Sequence, residues 1–215
     1  MANILHVPLP LSSDFLKEVR QCTDHDGILA VATESFYALS ASVRSASAVD
    51  RVAGIKGRSV DKPLLVLIGE RSQLDSLVAS MPPWADSLLQ HFWPGPLTCI
   101  FDSKPGLPSP LLGEGGTIGV RCPGSGVLRS ILCATGPLTG TSANRAGFPA
   151  LSHPQDVVRE FGEEIDLVLD SGPSPGGKSS TLLSLVGHPR ILREGPISSK
   201  TIQVELAQHG VTLAD

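Results

Sequence analysis

Apolar and polar residues alternate with two different periods along the chain, which predicts helices interleaved with short buried strands. Within residues 13–22, Phe15 and Val19 recur at helical spacing behind two serines, which predicts an amphipathic helix. The branched apolar run at 28–32 predicts a buried strand that ends in polar side chains. Similar apolar runs predict strands at 64–68, 97–101, 117–121, 166–170 and 180–186, and helical patterns occur at 84–91, 126–134, 154–161 and 199–208.

Two short patterns predict where further helices begin. Ser47 with Asp50, and Ser72 with Asp75, match the capping-box spacing, in which the hydroxyl and the carboxylate bind the free N–H groups of a first helical turn. The alternation of helices and strands is typical of an α/β protein whose open, twisted sheet is covered by helices. A chain of 215 residues has the usual size of one compact domain, so a single domain over residues 1–215 is expected.

Composition and charge exclude several classes of protein. Hydrophobic residues make up 41% of the chain and charged residues 18%, which excludes a disordered or coiled-coil protein. Seventeen Lys and Arg residues against twenty-one Asp and Glu residues give a net charge of −4. This sign does not suit a protein whose whole surface binds nucleic acid, so any basic site must be a local cleft.

The apolar runs fall well short of the ~18 residues that a membrane span requires, and the N-terminus lacks the basic region of a signal peptide. A cytoplasmic protein with no membrane association is therefore expected. Cys22, Cys99, Cys122 and Cys133 form no CxxC pair and no Cys/His cluster, so no metal site is predicted. We expect these cysteines to be reduced thiols in the core.

Residues 172–179 match the phosphate-binding pattern GxxxxGK[ST], with Lys178 and Ser179 at its end. A working P-loop needs a helix directly after the lysine, because the N–H groups of the first helical turn bind the phosphates. Here the pattern runs into the strand predicted at 180–186. We therefore interpret the segment as a Gly/Pro-rich connection between strands, with a P-loop NTPase as the alternative.

Two other segments carry groups that can bind phosphate. Lys56, Arg58 and Lys62 place three cations between a predicted helix and a buried strand, which suits a polyanion such as a triphosphate. Residues 141–144 supply hydroxyl and amide side chains that can approach a ligand closely. By spacing alone, the first segment is more typical of a solvated basic turn and the second of an ordinary turn.

Taken together, the motifs resemble those of the YrdC-like family of threonylcarbamoyl-AMP synthases, in the same order and over roughly residues 12–197. A Gly/Pro-rich loop before a Ser-Thr pair is also usual in that family. Seven motifs carry the resemblance: Thr33-Glu34 and Tyr37 with Leu39; Lys56-Gly-Arg58 with Lys62-Pro-Leu64; Trp93-Pro-Gly-Pro-Leu-Thr98; Thr117-Ile-Gly-Val-Arg121 with Pro123; Thr141-Ser-Ala-Asn144 with Gly147; Ser180-Thr181; and Arg193-Glu-Gly195.

The resemblance implies an open, twisted α/β sheet with a concave basic face. It also implies a nucleotidyltransferase that makes threonylcarbamoyl-AMP and pyrophosphate from ATP, L-threonine and bicarbonate, for the N6-threonylcarbamoyladenosine modification of tRNA. Mg²⁺ is expected on the ATP phosphates without a dedicated protein ligand cluster. The implied partner is the tRNA-modifying transferase that uses the product, and RNA binding is compatible with the same basic face.

The family motifs assign a set of candidate residues to each substrate. Lys56 and Arg58 are the candidates for catalysis. The candidates for binding ATP are Lys56, Arg58, Thr117, Ser142, Asn144 and Arg193, and those for binding threonine are Thr33, Lys62, Arg121, Thr141 and Ser180.

Some positions depart from the family pattern. Ala32, Ser35 and Ala38 replace residues usual in the synthases, and the resulting pattern is similar to a YciO-like branch whose role is less clear. A paralogue of that branch is therefore one alternative. A non-catalytic module that binds double-stranded RNA through the same face is another, although the net charge opposes it.

Overall fold

The computed structural model describes residues 1–57 and 62–214. Three short 3-10 helices lie within the described residues, at Arg71–Ser76, Ser109–Leu111 and Glu114–Gly116. The α-helices are α1 (Ser13–Asp24), α2 (Ala46–Lys56), α3 (Ala85–Phe92), α4 (Gly126–Thr135), α5 (Pro154–Phe161) and α6 (Ser199–Ala207). The strands are β1 (Asn3–His6), β2 (Leu29–Ala32), β3 (Tyr37–Ser40), β4 (Val66–Leu67), β5 (Val78–Ser80), β6 (Leu97–Ser103), β7 (Leu112–Gly113), β8 (Thr117–Arg121), β9 (Leu138–Thr139), β10 (Thr141–Ser142), β11 (Leu167–Asp170), β12 (Thr181–Ser184) and β13 (Arg190–Arg193).

The described strands form two open sheets. The five-stranded sheet has the order β1-β11-β2-β3-β10, with β1 and β2 parallel to β11. The eight-stranded sheet has the order β13-β12-β6-β8-β4-β9, and β5 and β7 pair with β6 and β8. The predicted open α/β fold is confirmed, and the strands that the sequence assigns to one sheet are divided between two.

The chain passes from one sheet to the other at Gly140, between β9 and β10. The N–H of Gly140 donates to the carbonyl of Leu65 at 2.7 Å, and a Cβ atom at this position would lie 2.4 Å from Cγ of Leu67. Only glycine therefore fits between the two sheets here. The crossing places Thr141 opposite Leu39 on β3.

Large aromatic side chains fill the main core. Tyr37, Phe101 and Phe161 are almost fully buried, and Trp93 is 5% exposed with its Nε1 donating to the carbonyl of Leu97 at 2.7 Å. Because a buried indole N–H needs an acceptor, this bond fixes Trp93 within the core. A smaller cluster of apolar side chains, including Phe15 of α1, packs on the five-stranded sheet.

Both predicted capping boxes are wrong in detail. Ser45, rather than Ser47, caps α2 by accepting from the N–H of Ala48 at 3.1 Å. Ser47 instead donates to Asp26 at 2.8 Å. The helix predicted from Ser72 is the 3-10 turn Arg71–Ser76, which has no side-chain cap. Ser45, two residues before Ser47, takes the capping role in α2, because either serine can supply the hydroxyl that the first helical turn requires.

Two of the four cysteines lie in the core, as predicted. Cys99 and Cys122 are buried, whereas Cys133 is exposed and Cys22 is intermediate, so the prediction is wrong for Cys133. Cys133 lies on α4 with its Sγ close to Gly69, where a Cβ atom would lie 2.7 Å from that sulfur. Burial raises the pKa of the Cys22 thiol to about 11.

The P-loop pattern does not fold as a P-loop. Residues 171–180 have no regular secondary structure and lead directly into β12, so no helix follows Lys178. The interpretation as a connection is confirmed by this geometry. Among residues 1–57 and 62–214, no helix is both long and apolar enough to cross a bilayer.

Candidate functional site

A cavity of about 140 Å³, lined by both polar and apolar side chains, lies between the two sheets. The turn after β2 and the start of β3 form one wall, and β4, β8 and the entrance to β12 form the opposite wall. Gly140 and β10 connect the two walls at the crossing point. The lining residues are Thr33, Ser35, Phe36, Tyr37, Ala38, Leu65, Leu67, Arg121, Gly140, Thr141, Ser142, Ser179, Ser180 and Arg193.

The Thr33 hydroxyl fixes the turn that follows β2. Its Oγ1 donates to the carbonyl of Phe36 at 2.7 Å and accepts from the N–H groups of Ser35 and Phe36 at 3.2 and 3.3 Å. This is the local bonding by which a threonine stabilises a tight turn. The hydroxyl proton is thus held by Phe36 and both lone pairs by the two N–H groups, so Thr33 shapes the cavity wall through the turn that it fixes.

A pair of buried hydroxyls lies at the entrance to β12. Oγ of Ser180 and Oγ1 of Thr98 are 2.7 Å apart, and both residues are almost completely buried. The carbonyl of Ser180 accepts from Nε and Nη2 of Arg193 at 3.3 and 3.0 Å. Gly195 packs so closely on this segment that a Cβ would lie 2.4 Å from the carbonyl of Ser179. The β12 entrance therefore holds Arg193 at the cavity.

Lys56 ends α2 and is only 4% exposed. Its Nζ donates to the carbonyls of Ser142 and Asn144 and to Oδ1 of Asn144, each at 2.6 Å. Oγ of Ser142 also donates to Oδ1 of Asn144 at 2.7 Å. A cation is favoured here because the C-terminal end of a helix carries partial negative charge. Lys56 thus joins α2 to the loop that follows β10.

Arg145 fastens the other side of the same loop to α5. Its guanidinium lies 4.7 Å from the ring centre of Phe161, bonds Glu160 Oε1 at 2.8 Å and pairs with Glu164. Nη1 also reaches the carbonyl of Ile55 at 3.4 Å. Hydrogen bonds to the two carboxylates raise the pKa of Arg145, and the same contact lowers the pKa of Glu164. The loop after β10 is therefore attached to α2 by Lys56 and to α5 by Arg145.

Arg121 ends β8 and places a guanidinium in the cavity wall. Its side chain is 11% exposed; Nε donates to the carbonyl of Gly95 at 2.9 Å, and Nη2 lies 3.1 Å from Oε2 of Glu34. Burial lowers the pKa of Arg121, and the Glu34 carboxylate opposes this shift. The cavity therefore contains two guanidinium groups, those of Arg121 and Arg193.

The structure brings together most of the residues that the sequence nominates. Thr117 begins β8, with its hydroxyl donating to the carbonyl of Glu114 at 3.1 Å, and it does not line this cavity. Lys62 is exposed and also does not line it, and Arg58 lies outside the described residues. Lys56 and Asn144 lie directly behind Ser142. Six candidates line the cavity: Thr33, Arg121, Thr141, Ser142, Ser180 and Arg193. Their roles, and those of the others, stay predictions.

Glu34 and Thr98 belong to the site but not to the predicted set of candidate residues. Both lie within the family motifs, and each contacts a cavity residue, Arg121 or Ser180. A charged residue directly after a buried strand was the available signal for Glu34. Thr98 offered none, because a threonine inside an apolar strand is ordinary.

The cavity offers two fixed cations and several hydroxyls. Such a set suits a carboxylate or a phosphate, since guanidinium groups bind these anions in a bidentate geometry. In the part of the chain that the structure describes, no group of three or more His, Cys, Asp or Glu side chains could hold a metal ion. The fold and the cavity define an α/β protein with a cleft between two sheets, and the groups that line the cleft suit a small anionic ligand.

The chain belongs to the Sua5/YciO/YrdC family, whose model, described as Telomere recombination, matches residues 21–195. A relative from Mycobacterium tuberculosis is 33% identical over 187 residues, which cover 86% of each chain. The threonylcarbamoyl-AMP synthase of Bacillus subtilis is 34% identical over 179 residues, which cover 82% of this chain and 52% of that protein. The predicted YrdC-like resemblance is confirmed.

Solved structures share the fold. The crystal structure of P. abyssi Sua5 complexed with L-threonine has a TM-score of 0.89 at 26% identity and covers 99% of this chain and 63% of that chain. E. coli YciO has a TM-score of 0.83 at 24% identity, with 94% of this chain and 100% of that chain covered. The chain thus spans less than two thirds of the P. abyssi protein and about half of the Bacillus one.

Proposed function

We propose that this protein is a threonylcarbamoyl-AMP synthase, acting on ATP, L-threonine and bicarbonate. The observation that carries the proposal is the cavity between the sheets, because it gathers Arg121, Arg193 and several hydroxyls from distant parts of the chain. The synthase from Bacillus subtilis and the threonine bound in P. abyssi Sua5 support the same assignment.

Each substrate has a set of groups that suits its chemistry. Arg121 binds the threonine carboxylate, with Thr33, Thr141, Ser180 and Lys62 around the amino acid. ATP enters as its Mg²⁺ complex, with the metal on the phosphates, because Mg²⁺ commonly binds through substrate phosphates and water. The phosphates are bound by Arg58, Thr117, Ser142, Asn144 and Arg193, and Lys56 holds Ser142 and Asn144 in place.

The reaction needs alignment and charge neutralisation rather than a protein nucleophile. The threonine amine attacks the carbon of bicarbonate, or of CO₂ formed from it, and gives a carbamate with loss of water or a proton. A carbamate oxygen then attacks the α-phosphorus of ATP, and the bond to the β-phosphate oxygen breaks, so that pyrophosphate leaves with its electron pair. Fixed guanidinium groups stabilise the charge that moves toward the leaving group.

The product links a carbamate to a phosphate, and such a mixed anhydride transfers its acyl group readily. A second enzyme must therefore take the threonylcarbamoyl group before water does. We propose that this partner is the transferase that modifies adenosine in tRNA. Direct RNA binding by this chain is tested separately, by titration with RNA at increasing salt concentration.

The experiment is a pyrophosphate-release assay in which threonine and bicarbonate are left out in turn. Pyrophosphate should form only when all three substrates are present. Arg121→Ala should abolish the threonine-dependent signal, whereas Arg159→Ala, at an exposed position on α5, is the matched control. Release of inorganic phosphate without threonine would contradict the proposal and favour an NTPase. Tight, salt-sensitive RNA binding without turnover would favour a binding module.

A further inference from the structure

Glu34 contacts two elements of the site at once. Its Oε1 accepts hydrogen bonds from the N–H of Gly124 and from the N–H of Ser125, the latter at 3.1 Å. Ser125 is the N-cap of α4, so the carboxylate lies at the positive end of that helix. Its Oε2 faces Nη2 of Arg121 at 3.1 Å. One side chain thus connects the turn after β2, the start of α4 and the end of β8.

The second carboxylate oxygen is committed to Arg121. Oε2 is fully buried, and among the described residues no donor reaches it with hydrogen-bond geometry, so its contact with Nη2 of Arg121 is an ion pair. A buried carboxylate oxygen without such a cation would be costly, because burial removes its hydration. The Arg121 guanidinium therefore compensates the charge of the buried Oε2 of Glu34.

The two contacts of Arg121 fix the plane of its guanidinium. Nε is held by the carbonyl of Gly95 and Nη2 by Glu34. Within residues 1–57 and 62–214, Nη1 makes no hydrogen bond to the protein. Its two N–H groups remain for a ligand in the cavity that Arg121 lines.

We propose that Glu34 is a positioning residue for the amino-acid substrate, which holds the Arg121 guanidinium so that Nη1 meets the substrate carboxylate. This inference rests on the proposed function. Glu34 itself does not touch the substrate. It acts through Arg121, and its bonds to Gly124 and Ser125 prevent the carboxylate from following the arginine when a ligand arrives.

The test is the affinity for L-threonine, measured by calorimetry, of Glu34→Gln. Glutamine keeps the length of the side chain and a carbonyl that can bind Gly124 and Ser125, but it presents an N–H group to Arg121 instead of a charge. The dissociation constant for threonine should rise roughly tenfold, as expected when one member of a coupled pair is lost, and that for ATP should stay within about twofold. Glu163→Gln, an exposed glutamate on another face, is the matched control and should change neither constant.

A second variant reaches the carboxylate from the other side and keeps its charge. A Cβ at Gly124 would lie 3.0 Å from Oε1 of Glu34, so Gly124→Ala should displace the carboxylate and weaken threonine binding in the same direction. If Glu34→Gln does not fold, this variant still decides the question.

Double variants distinguish positioning from a general loss of structure. When Arg121 is already replaced by Lys, Glu34→Gln should cause little further loss of threonine affinity, since the guanidinium that it positions is gone. Losses that multiply independently, or an unchanged affinity in both single variants, would overturn the inference. If the wild-type protein itself binds no threonine, the proposed function fails first.

Discussion

Every cation that the structure describes at the site is held by oxygen atoms from another segment of the chain. Lys56 bonds Ser142 and Asn144, Arg121 bonds Gly95 and Glu34, and Arg193 bonds the carbonyl of Ser180. A flexible side chain loses much rotational freedom when it is fixed in this way, and that cost is met before a ligand binds. The site is therefore preorganised at the level of single residues.

Lys56→Met should lower the stability of the folded protein as well as its activity. The variant removes the donor from the part-buried carbonyls of Ser142 and Asn144, so the free energy of unfolding should fall by about 1 to 3 kcal/mol. Urea denaturation measures this. Lys17→Met, at an exposed position of α1, should lie within about 0.5 kcal/mol of the wild type. Equal stabilities of the two variants would mean that the Lys56 contacts contribute nothing to folding.

The amino-acid selectivity should follow the order threonine, serine, valine. Serine lacks only a methyl group, which is worth roughly 1 to 3 kcal/mol in a small pocket. Valine lacks the hydroxyl, so the buried polar group that pairs with it in the pocket of Thr33, Thr141 and Ser180 would be left unsatisfied, and discrimination against valine should reach roughly 10⁴-fold. Pyrophosphate release with each amino acid at saturating bicarbonate measures the order. Valine turning over as well as serine would contradict a pocket that binds the hydroxyl.

At the scale of elements, the long and strongly patterned segments were predictable and the short ones were not. The strand predicted at 117–121 is β8 to the residue, and α5 occupies 154–161 as predicted. By contrast, β10 has two residues, Thr141–Ser142, and is a strand because it pairs with β3, more than a hundred positions earlier in the chain. Such pairing leaves no local pattern, since its cause is a distant partner.

The site shows the same division. The family motifs predicted which residues meet, as Thr33 and Ser180 do at the cavity. They could not predict that the Thr33 hydroxyl bonds the backbone of its own turn, or that Lys56 binds oxygen atoms of the loop after β10. These contacts depend on how the two sheets pack together.

The connection at 171–180 allows a direct test of whether its GxxxxGK[ST] pattern binds phosphate although no helix follows it. Lys178→Ala should leave the affinity for ATP within about threefold, because no helix follows the lysine to build a phosphate cradle. Titration with a fluorescent ATP analogue measures this, with Lys200→Ala on α6 as the matched control. A hundredfold loss of affinity in Lys178→Ala alone would restore the P-loop reading.

At the scale of the whole molecule, the cavity is shared by two sheets that meet at Gly140 and at the bridge between Ser42 and Leu138. A ligand bound there contacts both sheets and is lost when either sheet unfolds. The single domain expected over residues 1–215 stays a prediction, and its unfolding provides a way to examine the coupling between the sheets.

Threonine should raise the melting temperature of the protein. The protein should unfold in a single transition with and without the substrate. Threonine at roughly 100 times its dissociation constant adds about 2.7 kcal/mol of stability, which corresponds to an increase of roughly 5 to 10 °C for a chain of this size. Differential scanning calorimetry measures the shift, and D-threonine, with the opposite configuration, is the control ligand. Two separate transitions, of which threonine moves one alone, would contradict coupling between the sheets.

The parallel pairing of β1 with β11 also affects how the protein is made. Asn3 pairs with Leu167, so β1 has no partner until the residues between these two strands have been translated. At roughly 5 to 20 residues per second this interval is about 8 to 33 seconds. During that time the apolar residues of β2, Leu29 and Val31 among them, are open to chaperones and to aggregation. The cavity is completed later still, because Ser180 and Arg193 are translated after β11, the strand that pairs with β1.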